Sequence, residues 1–365
     1  MTILARATSS RLAAIGAPRR VGVVMLTAVG DAVHVLPVVT AIKRNDPTTH
    51  ITWVLQPGPA TLVRGHPAVD EIITFDRRAG WRAFADIRRT LRERPFDVTL
   101  ALQDYLKAGI ITRLTRAPVR LGYDRARARD LNWLFTNCRI PAHAPQHIQD
   151  EYLEFVAALG IPTEPVTWAL GPWPEERAWQ RDFAARFDRP IAALVIGSSR
   201  PEKDWVPERW VEVVDALTVD FGLQPVLVGG RSPREAALER FILEHAHHPP
   251  VSALDSGLRR LVGILDAAAL VVSLDTGPLH MAVALDRPVV SLIGFSNPAR
   301  TGPYRKFHDL IVNAYGETMR NGRLCTDRRP QNTARITTRE VLAKVELWRT
   351  RYAGTTRSGD TRAAP

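Results

Sequence analysis

Runs of apolar residues recur along the first half of the chain, and segments with helical spacing separate them. The apolar runs predict buried strands at residues 21–26, 51–55, 71–75 and 97–102. Apolar residues spaced three or four apart predict helices at residues 32–44, 81–94 and 147–159. Residues 117–146 are crowded with arginine, and we expect loops with short elements there. This alternation of strand and helix predicts a parallel, doubly wound sheet.

The same alternation restarts after residues 161–174, which hold four prolines and little periodicity. Strands are predicted at residues 191–196, 224–228, 267–272 and 288–293. Helices are predicted at residues 175–187, 207–221, 232–245, 258–265 and 338–352. The predicted fold class is therefore α/β, with two doubly wound domains whose ligand turns lie at the carboxyl ends of strands and face a central cleft.

Composition and the proline-rich segment set the predicted domain boundaries. They are a disordered extension (1–19), an N-terminal domain (20–161), a linker (162–174), a C-terminal domain (175–335), a final helix (336–353) and a disordered tail (354–365). Prolines without periodicity are typical of a linker, and polar ends without apolar residues are typical of disorder.

Charge and composition narrow the classes of function. The 365 residues are 45% hydrophobic and 24% charged, as in soluble globular proteins. No apolar run reaches the roughly 18 residues of a membrane-spanning helix. The net charge of +11 favours anionic partners, such as a phosphorylated substrate or an acidic membrane face, and no signature indicates nucleic acid. Two lone cysteines, Cys138 and Cys325, indicate a reducing compartment and offer no metal framework.

The strongest chemical signal is the turn Asp275-Thr276-Gly277-Pro278-Leu279-His280, which lies between two apolar runs. Pro278 suits the start of a helix, where a missing N–H loses no hydrogen bond. The remaining N–H groups and the helix dipole favour an anion there. We therefore predict a phosphorylated ligand on this turn. His280 could donate to its phosphate, or it could be a partly buried histidine with other partners.

Three more strand ends carry candidate groups, and each has a structural alternative. Asp31 could act as a general base, or it could cap the helix that follows. Ser198, Ser199 and Lys203 could bind a diphosphate, or they could form a solvated loop. Glu235 could accept bonds from ribose hydroxyls, or it could complement the helix dipole. The sequence contains no G-x-G-x-x-G and no P-loop motif, which argues against dehydrogenases and P-loop enzymes.

Taken together, these stretches resemble the heptosyltransferase-type glycosyltransferases. The resemblance covers nearly all of residues 20–350 in the right order. The stretches that carry it are Val29-Gly30-Asp31-Ala32-Val33, Lys203-Asp204-Trp205, Asp275 to Ala282, Arg287-Pro288 and residues 297–304. Within the family, residues 103–107, 121–123 and 132–149 look most like the enzyme that adds the first heptose to Kdo.

The resemblance implies two Rossmann-like domains of the GT-B type, the first binding the acceptor and the second the sugar nucleotide. It implies inverting transfer of L-glycero-D-manno-heptose from ADP-heptose to the Kdo/lipid A inner core of lipopolysaccharide, with no required cofactor or metal. Asp31 matches the family's catalytic base. The positions that match the donor site are Ser198, Ser199, Lys203, Glu235, Ser256, Asp275, Thr276, Gly277 and His280. The acceptor candidates are Lys107, Arg120 and His147.

The implied partners are the sugar nucleotide, an anionic lipid-linked saccharide and the cytoplasmic face of the inner membrane, where the enzyme would be peripheral. Two alternatives stay open, namely a GT-B-fold sugar-nucleotide epimerase and a non-catalytic nucleotide-sugar-binding protein. The chain departs from the family in two places. The surroundings of Glu235, with Pro233, are unusual. Val206 separates Trp205 from Pro207, where the family commonly has Trp-Pro, so a changed sugar or nucleotide is an open alternative.

Overall fold

The computed structural model describes residues 11–12 and 16–355. Most of the extension and tail that we predicted to be disordered lies outside these residues. The chain divides into two compact units, Met1–Leu170 and Gly171–Pro365, and the division falls inside the proline-rich segment. In the part of the chain that is described, no helix is long and apolar enough to cross a membrane.

Unit 1 is built on a six-stranded parallel sheet. Its strands are β1 (Arg20–Val24), β2 (His50–Leu55), β3 (Glu71–Thr74), β4 (Val98–Ala101), β5 (Val119–Gly122) and β6 (Cys138–Arg139). Their order across the sheet is β3-β2-β1-β4-β5-β6. Val23 pairs with Trp53 on one side and Leu100 on the other, and all three are fully buried. Strands covered by helices on both faces are apolar throughout, which explains the continuous apolar runs in the sequence.

Within residues 16–170 of the described chain, five α-helices connect or flank these strands. They are α1 (Val29–Asn45), α2 (Pro57–Val63), α3 (Trp81–Arg92), α4 (Leu106–Leu114) and α5 (Ile148–Ala158). Helix α3 shows why the spacing predicts a helix, since Ala83, Ile87 and Leu91 are buried in the core while its arginines face solvent. Burial of one stripe stabilises such a helix more than its intrinsic propensity does.

Unit 2 repeats the topology with a second parallel sheet. Its strands are β7 (Ile191–Val195), β8 (Gln224–Val228), β9 (Val251–Ser252), β10 (Leu270–Leu274), β11 (Val289–Ile293) and β12 (Ile311–Asn313). Their order is β12-β11-β10-β7-β8-β9. The helices are α6 (Arg177–Ala184), α7 (Pro207–Val219), α8 (Pro233–His245), α9 (Leu258–Ala267), α10 (Gly277–Ala284), α11 (Pro298–Thr301) and α12 (Thr338–Arg351). A small hairpin joins β13 (Met319–Arg320) to β14 (Arg323–Leu324).

The predicted doubly wound α/β class is confirmed for both units, and several local predictions were wrong. The strand predicted at residues 267–272 begins only at Leu270, because α9 runs through Ala267 and alanine favours a helix. Helix α6 is shorter than the predicted 175–187. Strands β9 and β12 and helix α2 were not predicted, since two to seven residues are too few to show a period.

Both sheets reverse their strand order beside their first strand. The chain winds outward from β1 to β3 and then returns to place β4 on the other side of β1, and β7 and β10 repeat this arrangement. The loops after the two strands on either side of the reversal diverge, which leaves a crevice at the carboxyl ends of the strands. Each unit therefore offers one topologically favoured ligand site, beside β1 and β4 or beside β7 and β10.

Candidate active site

In unit 2, the loops after β7 and β10 are joined by a buried ion pair. The Lys203 ammonium donates to the main-chain oxygen of Asp275 at 2.7 Å and to its carboxylate Oδ2 at 2.9 Å. Only 17% of the lysine side chain and 5% of the aspartate side chain are exposed. Ser296, in the loop after β11, donates its hydroxyl to the same carboxylate oxygen. Three strand ends are therefore tied together around one carboxylate.

Helix α10 begins two residues after this aspartate. Thr276 precedes the first helical residue, and its hydroxyl is buried without a hydrogen-bond partner among the described residues. Gly277 and Pro278 form the start of the helix, and His280 in the same turn is 9% exposed. A buried hydroxyl that lacks a partner costs free energy, and a helix N-terminus favours an anionic ligand. This turn is thus prepared for a ligand with anionic oxygen atoms.

Phe295, two residues after β11, has three cations around its ring. The Lys203 ammonium lies 5.3 Å from the ring centre, and the guanidinium carbons of Arg200 and Arg328 lie at 5.8 and 5.9 Å. The Asp275 carboxylate offsets one of these charges, so the group is left with a net charge of +2. Sequence reasoning missed Ser296, Arg200 and Arg328 as site residues. No pattern pointed to Arg328, because it lies in an irregular loop far from the recognised stretches.

Ser198 and Ser199 follow β7 in a loop that is fixed from α8. Arg234 donates to the main-chain oxygen of Ser198 at 2.9 Å and forms an ion pair with Asp204. Burial raises the pKa of Asp204, although the charge of Arg234 opposes that rise. The Ser198 hydroxyl donates to the main-chain oxygen of Arg200 at 2.6 Å, whereas Ser199 is exposed. Ser199 is therefore the freer hydroxyl of the two.

Glu235 performs the structural role that the sequence offered as its alternative. Its carboxylate accepts the N–H groups of Gly230 and Ser232, each at 3.0 Å, and so caps α8. A side chain at Gly197 would place its Cβ 2.3 Å from the Cγ of Glu235, so the close approach requires glycine. Both residues border a cavity of about 450 Å³, a size that suits a small-molecule site. Each carboxylate oxygen keeps lone pairs for a ligand hydroxyl.

Ser256 lies in the loop after β9. That loop is joined to the end of β8, where the Asp255 N–H donates to the main-chain oxygen of Gly229 at 3.1 Å. The structure thus brings every predicted donor residue to the carboxyl edge of one sheet. These residues are Ser198, Ser199, Lys203, Glu235, Ser256, Asp275, Thr276, Gly277 and His280.

In unit 1, Asp31 lies in the first turn of α1, directly after the β1 loop. Its Oδ2 accepts the N–H of Ala28 at 2.8 Å, and its Oδ1 accepts the hydroxyl of Tyr152 at 3.4 Å. Burial, and next the charge of Asp31, raise the pKa of Tyr152 well above its usual value. The phenol therefore remains a donor throughout the physiological pH range. Asp31 caps its own helix, and the residue is only half-buried.

Gln103 fixes the loop that leads to Asp31. Its side-chain oxygen accepts the N–H of Leu26 at 3.0 Å, and its amide nitrogen donates to the main-chain oxygen of Thr27 at 2.8 Å. Tyr152 and Gln103 were not predicted as site residues. Gln103 belongs to a recognised stretch and could have been singled out, whereas Tyr152 lies in an ordinary amphipathic helix.

The three acceptor candidates have different surroundings. Lys107 is exposed at the start of α4 and lines a cavity of about 630 Å³ together with Leu26 and Thr27. His147 precedes α5, and its Nδ1 accepts the N–H of Gln149 at 3.1 Å. Arg120 lies in the middle of β5 and donates to the main-chain oxygens of Phe135 and Ala117 at 3.0 and 2.7 Å. Lys107 thus lies beside the loop that leads to Asp31, whereas the guanidinium of Arg120 is hydrogen-bonded to the main chain next to β5.

Among the described residues, no three or more His, Cys, Asp or Glu side chains are grouped so that they could hold a metal ion. Both Cys138 and Cys325 are buried free thiols.

Comparisons with known proteins agree on one family. The family model of glycosyltransferase family 9 (heptosyltransferase) matches residues 84–329, more than half of the chain. The lipopolysaccharide core heptosyltransferase OpsX of Haemophilus influenzae is 29% identical over 302 residues, which are 82% of this chain and 86% of the relative. Lipopolysaccharide heptosyltransferase 1 of Escherichia coli K12 is 27% identical over 317 residues, covering 83% and 96%.

A solved structure, the E. coli heptosyltransferase WaaC with ADP-2-deoxy-2-fluoro heptose, is similar in fold. It superimposes with a TM-score of 0.69 at 24% identity, over 90% of this chain and 99% of that one. This likeness confirms the prediction of two Rossmann-like units of the GT-B type.

Proposed function

The chain belongs to glycosyltransferase family 9, the heptosyltransferases of lipopolysaccharide core biosynthesis, and we propose that it transfers L-glycero-D-manno-heptose from ADP-heptose to the Kdo/lipid A inner core. The family and the names of its relatives support the sugar and the acceptor class. The E. coli relative WaaC was solved with ADP-2-deoxy-2-fluoro heptose, which supports the nucleotide. The family match does not favour the two alternatives, an epimerase or a non-catalytic binding protein.

One observation supports the donor site above all others, namely the turn at Thr276. Its buried hydroxyl lacks a partner among the described residues, and it stands at the N-terminus of α10 beside Lys203. A diphosphate on this turn would accept from the hydroxyl, from the first N–H groups of the helix and from the ammonium. As the bond to the sugar breaks, negative charge grows on the diphosphate. These fixed donors would stabilise that charge.

For the acceptor, we propose that Asp31 removes the proton from the attacking hydroxyl. The acceptor oxygen then bonds to the anomeric carbon, and the bond from that carbon to the ADP oxygen breaks with inversion. Gln103 would hold the loop in place, and Tyr152 would orient the carboxylate. Lys107 would meet an anionic group of the acceptor, because it lines the cavity that borders this loop. His147 and Arg120 stay predictions as acceptor residues, and both hydrogen-bond to main-chain atoms within unit 1.

We also propose that the enzyme works as a peripheral protein at the cytoplasmic face of the inner membrane, since its acceptor would be anchored there. The domain boundaries and the assignment of acceptor and donor to units 1 and 2 remain part of this proposal.

A donor screen by mass spectrometry tests the reaction. The purified protein is given a lipid A–Kdo acceptor with ADP-heptose, UDP-sugars or GDP-sugars in parallel. We expect an acceptor product heavier by one heptose with ADP-heptose alone, and loss of that product in Asp31→Asn with ADP binding retained. Asp46→Asn, at the other end of α1, is the matched control and should keep activity. Product from another donor would refute the nucleotide, and an altered free sugar nucleotide without acceptor product would favour an epimerase.

A further inference from the structure

Large apolar side chains are exposed unevenly over the described residues. Five of the seven lie in unit 1, within residues 81–134: Trp81 (87% exposed), Leu131 (57%), Leu134 (57%), Tyr105 (45%) and Leu106 (44%). The other two, Val219 and Met319, lie in unit 2. Scattered exposed leucines are ordinary, but a group within one region marks a candidate interaction surface.

Four of these five side chains are connected around one cavity of unit 1, and Leu134 lies three residues after Leu131. Tyr105, Leu106 and Leu131 line the cavity of about 630 Å³, as does Phe75. The ring of Phe75 contacts Phe84 at 5.0 Å between centres, and Phe84 contacts Trp81 at 6.0 Å. We call this surface the rim, and it consists of Arg77, Arg78, Trp81, Arg82, Tyr105, Leu106, Lys107, Leu131 and Leu134.

Buried contacts beneath the surface fix the backbone that carries the exposed leucines of the rim. Asn132 is buried between Leu131 and Leu134, and its side-chain amide donates to the main-chain oxygens of Gln103 and Tyr105 at 3.2 and 2.9 Å. A Cβ at Gly109 would lie 2.6 Å from the Phe135 ring, so helix α4 and this loop are in close contact. The leucines are therefore fixed in exposed positions by a buried side chain.

Its charge is strongly positive. The charged residues of the rim are all basic, namely Arg77, Arg78, Arg82 and Lys107, and all four are exposed. Tryptophan and leucine that project among arginines are typical of surfaces that lie in the headgroup region of anionic bilayers. A basic residue near such a bilayer is attracted by its negative surface potential.

We propose that the rim docks unit 1 onto an anionic lipid bilayer, so that a lipid-anchored acceptor enters the cavity directly from the membrane surface. The inference rests on the proposed function for the identity of the acceptor, and it assigns the membrane contact to named residues. Trp81 and Leu134 would enter the headgroup layer, Arg78 and Arg82 would meet lipid phosphates, and the cavity beside Lys107 would open toward the saccharide.

Vesicle co-sedimentation of the full chain tests the rim directly. The vesicles contain phosphatidylcholine with or without about 30 mol% phosphatidylglycerol, at low and high salt. Two double variants change the rim: an apolar variant, Trp81→Ser/Leu134→Ser, and an arginine variant, Arg78→Gln/Arg82→Gln. Two matched double variants in unit 2 are the controls: Val219→Ser/Met319→Ser and Arg240→Gln/Arg339→Gln. None of these residues lines either cavity.

We expect wild type to bind the anionic vesicles and to lose binding at high salt. The arginine variant should bind about 25-fold more weakly, at roughly fivefold for each charge, and the apolar variant should lose about tenfold or more. Both unit 2 controls should bind as wild type does. Equal binding by wild type and both rim variants would overturn the proposal, and would leave a protein partner as the occupant of the rim.

Two activity assays separate this inference from the proposed function. On a water-soluble, Kdo-bearing acceptor without lipid chains, the rim variants should transfer heptose at the wild-type rate, which also shows that they are folded. On acceptor embedded in anionic vesicles, their rate should fall with their binding. Vesicle binding that depends on the rim, without transfer to either acceptor, would refute the proposed function and leave the membrane surface standing. Equal rates of wild type and variants on embedded acceptor would refute the rim.

Discussion

Replacing Lys203 with methionine should affect both donor binding and folding stability, and the structure separates the two effects. The ammonium makes two hydrogen bonds to Asp275, whose side chain is 5% exposed. Removing one partner of a buried pair costs about 3–5 kcal/mol, because an uncompensated charge remains. Here Ser296 still donates to that carboxylate and the lysine is partly exposed, so we expect a loss of about 2–3 kcal/mol in the free energy of unfolding.

Asp275→Asn is the second single variant of a double-mutant cycle with Lys203→Met. The double variant Lys203→Met/Asp275→Asn no longer buries a carboxylate without its cation, so it should be more stable than the sum of the single variants predicts. We expect a coupling of about 1–2 kcal/mol in urea unfolding. Additive single effects would show that the ion pair contributes nothing to the stability of this turn.

Donor binding is measured on the same proteins by calorimetry with ADP. Lys203→Met should weaken binding by about 1–3 kcal/mol, the range for a hydrogen bond to a charged group. The weakening should persist when Lys203→Met/Asp275→Asn is compared with Asp275→Asn, since asparagine leaves the ammonium free for the phosphate. Unchanged ADP affinity in both backgrounds would remove Lys203 from the donor site. The ion pair would then be a purely structural contact.

Three further outcomes follow from the contacts described above. Arg328→Gln should weaken ADP binding severalfold more at low salt than at high salt, because the cation beside Phe295 acts through its charge; equal loss at both salt concentrations would contradict this. Tyr152→Phe should lower kcat/KM by about three- to tenfold and move the acid limb of the pH profile to higher pH, because the ionised Asp31 loses a donor; an unchanged profile would exclude that role. For Asp266, burial opposes ionisation, but hydrogen bonds from Gln180 and neighbouring arginines prevail and hold its pKa below the usual range. The ionised Asp266 should therefore stabilise the folded protein fully above about pH 3.9, the pKa of an unfolded aspartate. This contribution should be lost as the pH falls toward the lower pKa of Asp266 in the folded protein. In thermal unfolding, Asp266→Asn should make the melting temperature depend less on pH in this acid range.

The sheets could be predicted from the sequence because strands that are buried on both faces are continuous apolar runs, and such runs are recognisable without any knowledge of contacts. Val21 to Val24 and Val289 to Ile293 are apolar at nearly every position that helices cover, so the runs are visible in one dimension. Two-residue strands such as β6 leave no such record. Their pairing is decided by neighbours, as when Cys138 pairs with Leu121.

The candidate site was predictable only in part, for the same reason. Asp275, Thr276 and Gly277 are adjacent in sequence, so a strand, a turn and a helix start reveal them together. The pairing of Lys203 with Asp275 joins residues 72 positions apart, and Tyr152 reaches Asp31 across 121. Contacts of this kind depend on which strands are neighbours. The strand order of the sheet determines this, and a local sequence pattern does not reveal it.

For Asp31 and Glu235, a helix-capping role and a role in the site do not exclude one another. Each carboxylate accepts N–H groups of its own helix start, which is the commonest use of an acid at that position. The same bonds fix the carboxylate in one orientation at the carboxyl edge of a parallel sheet, where ligands bind. A carboxylate has about four lone-pair positions, and the cap uses one in Asp31 and two in Glu235. Capping therefore orients these groups for a ligand, and a capped acid at a strand-order reversal is a better candidate for function than the cap alone suggests.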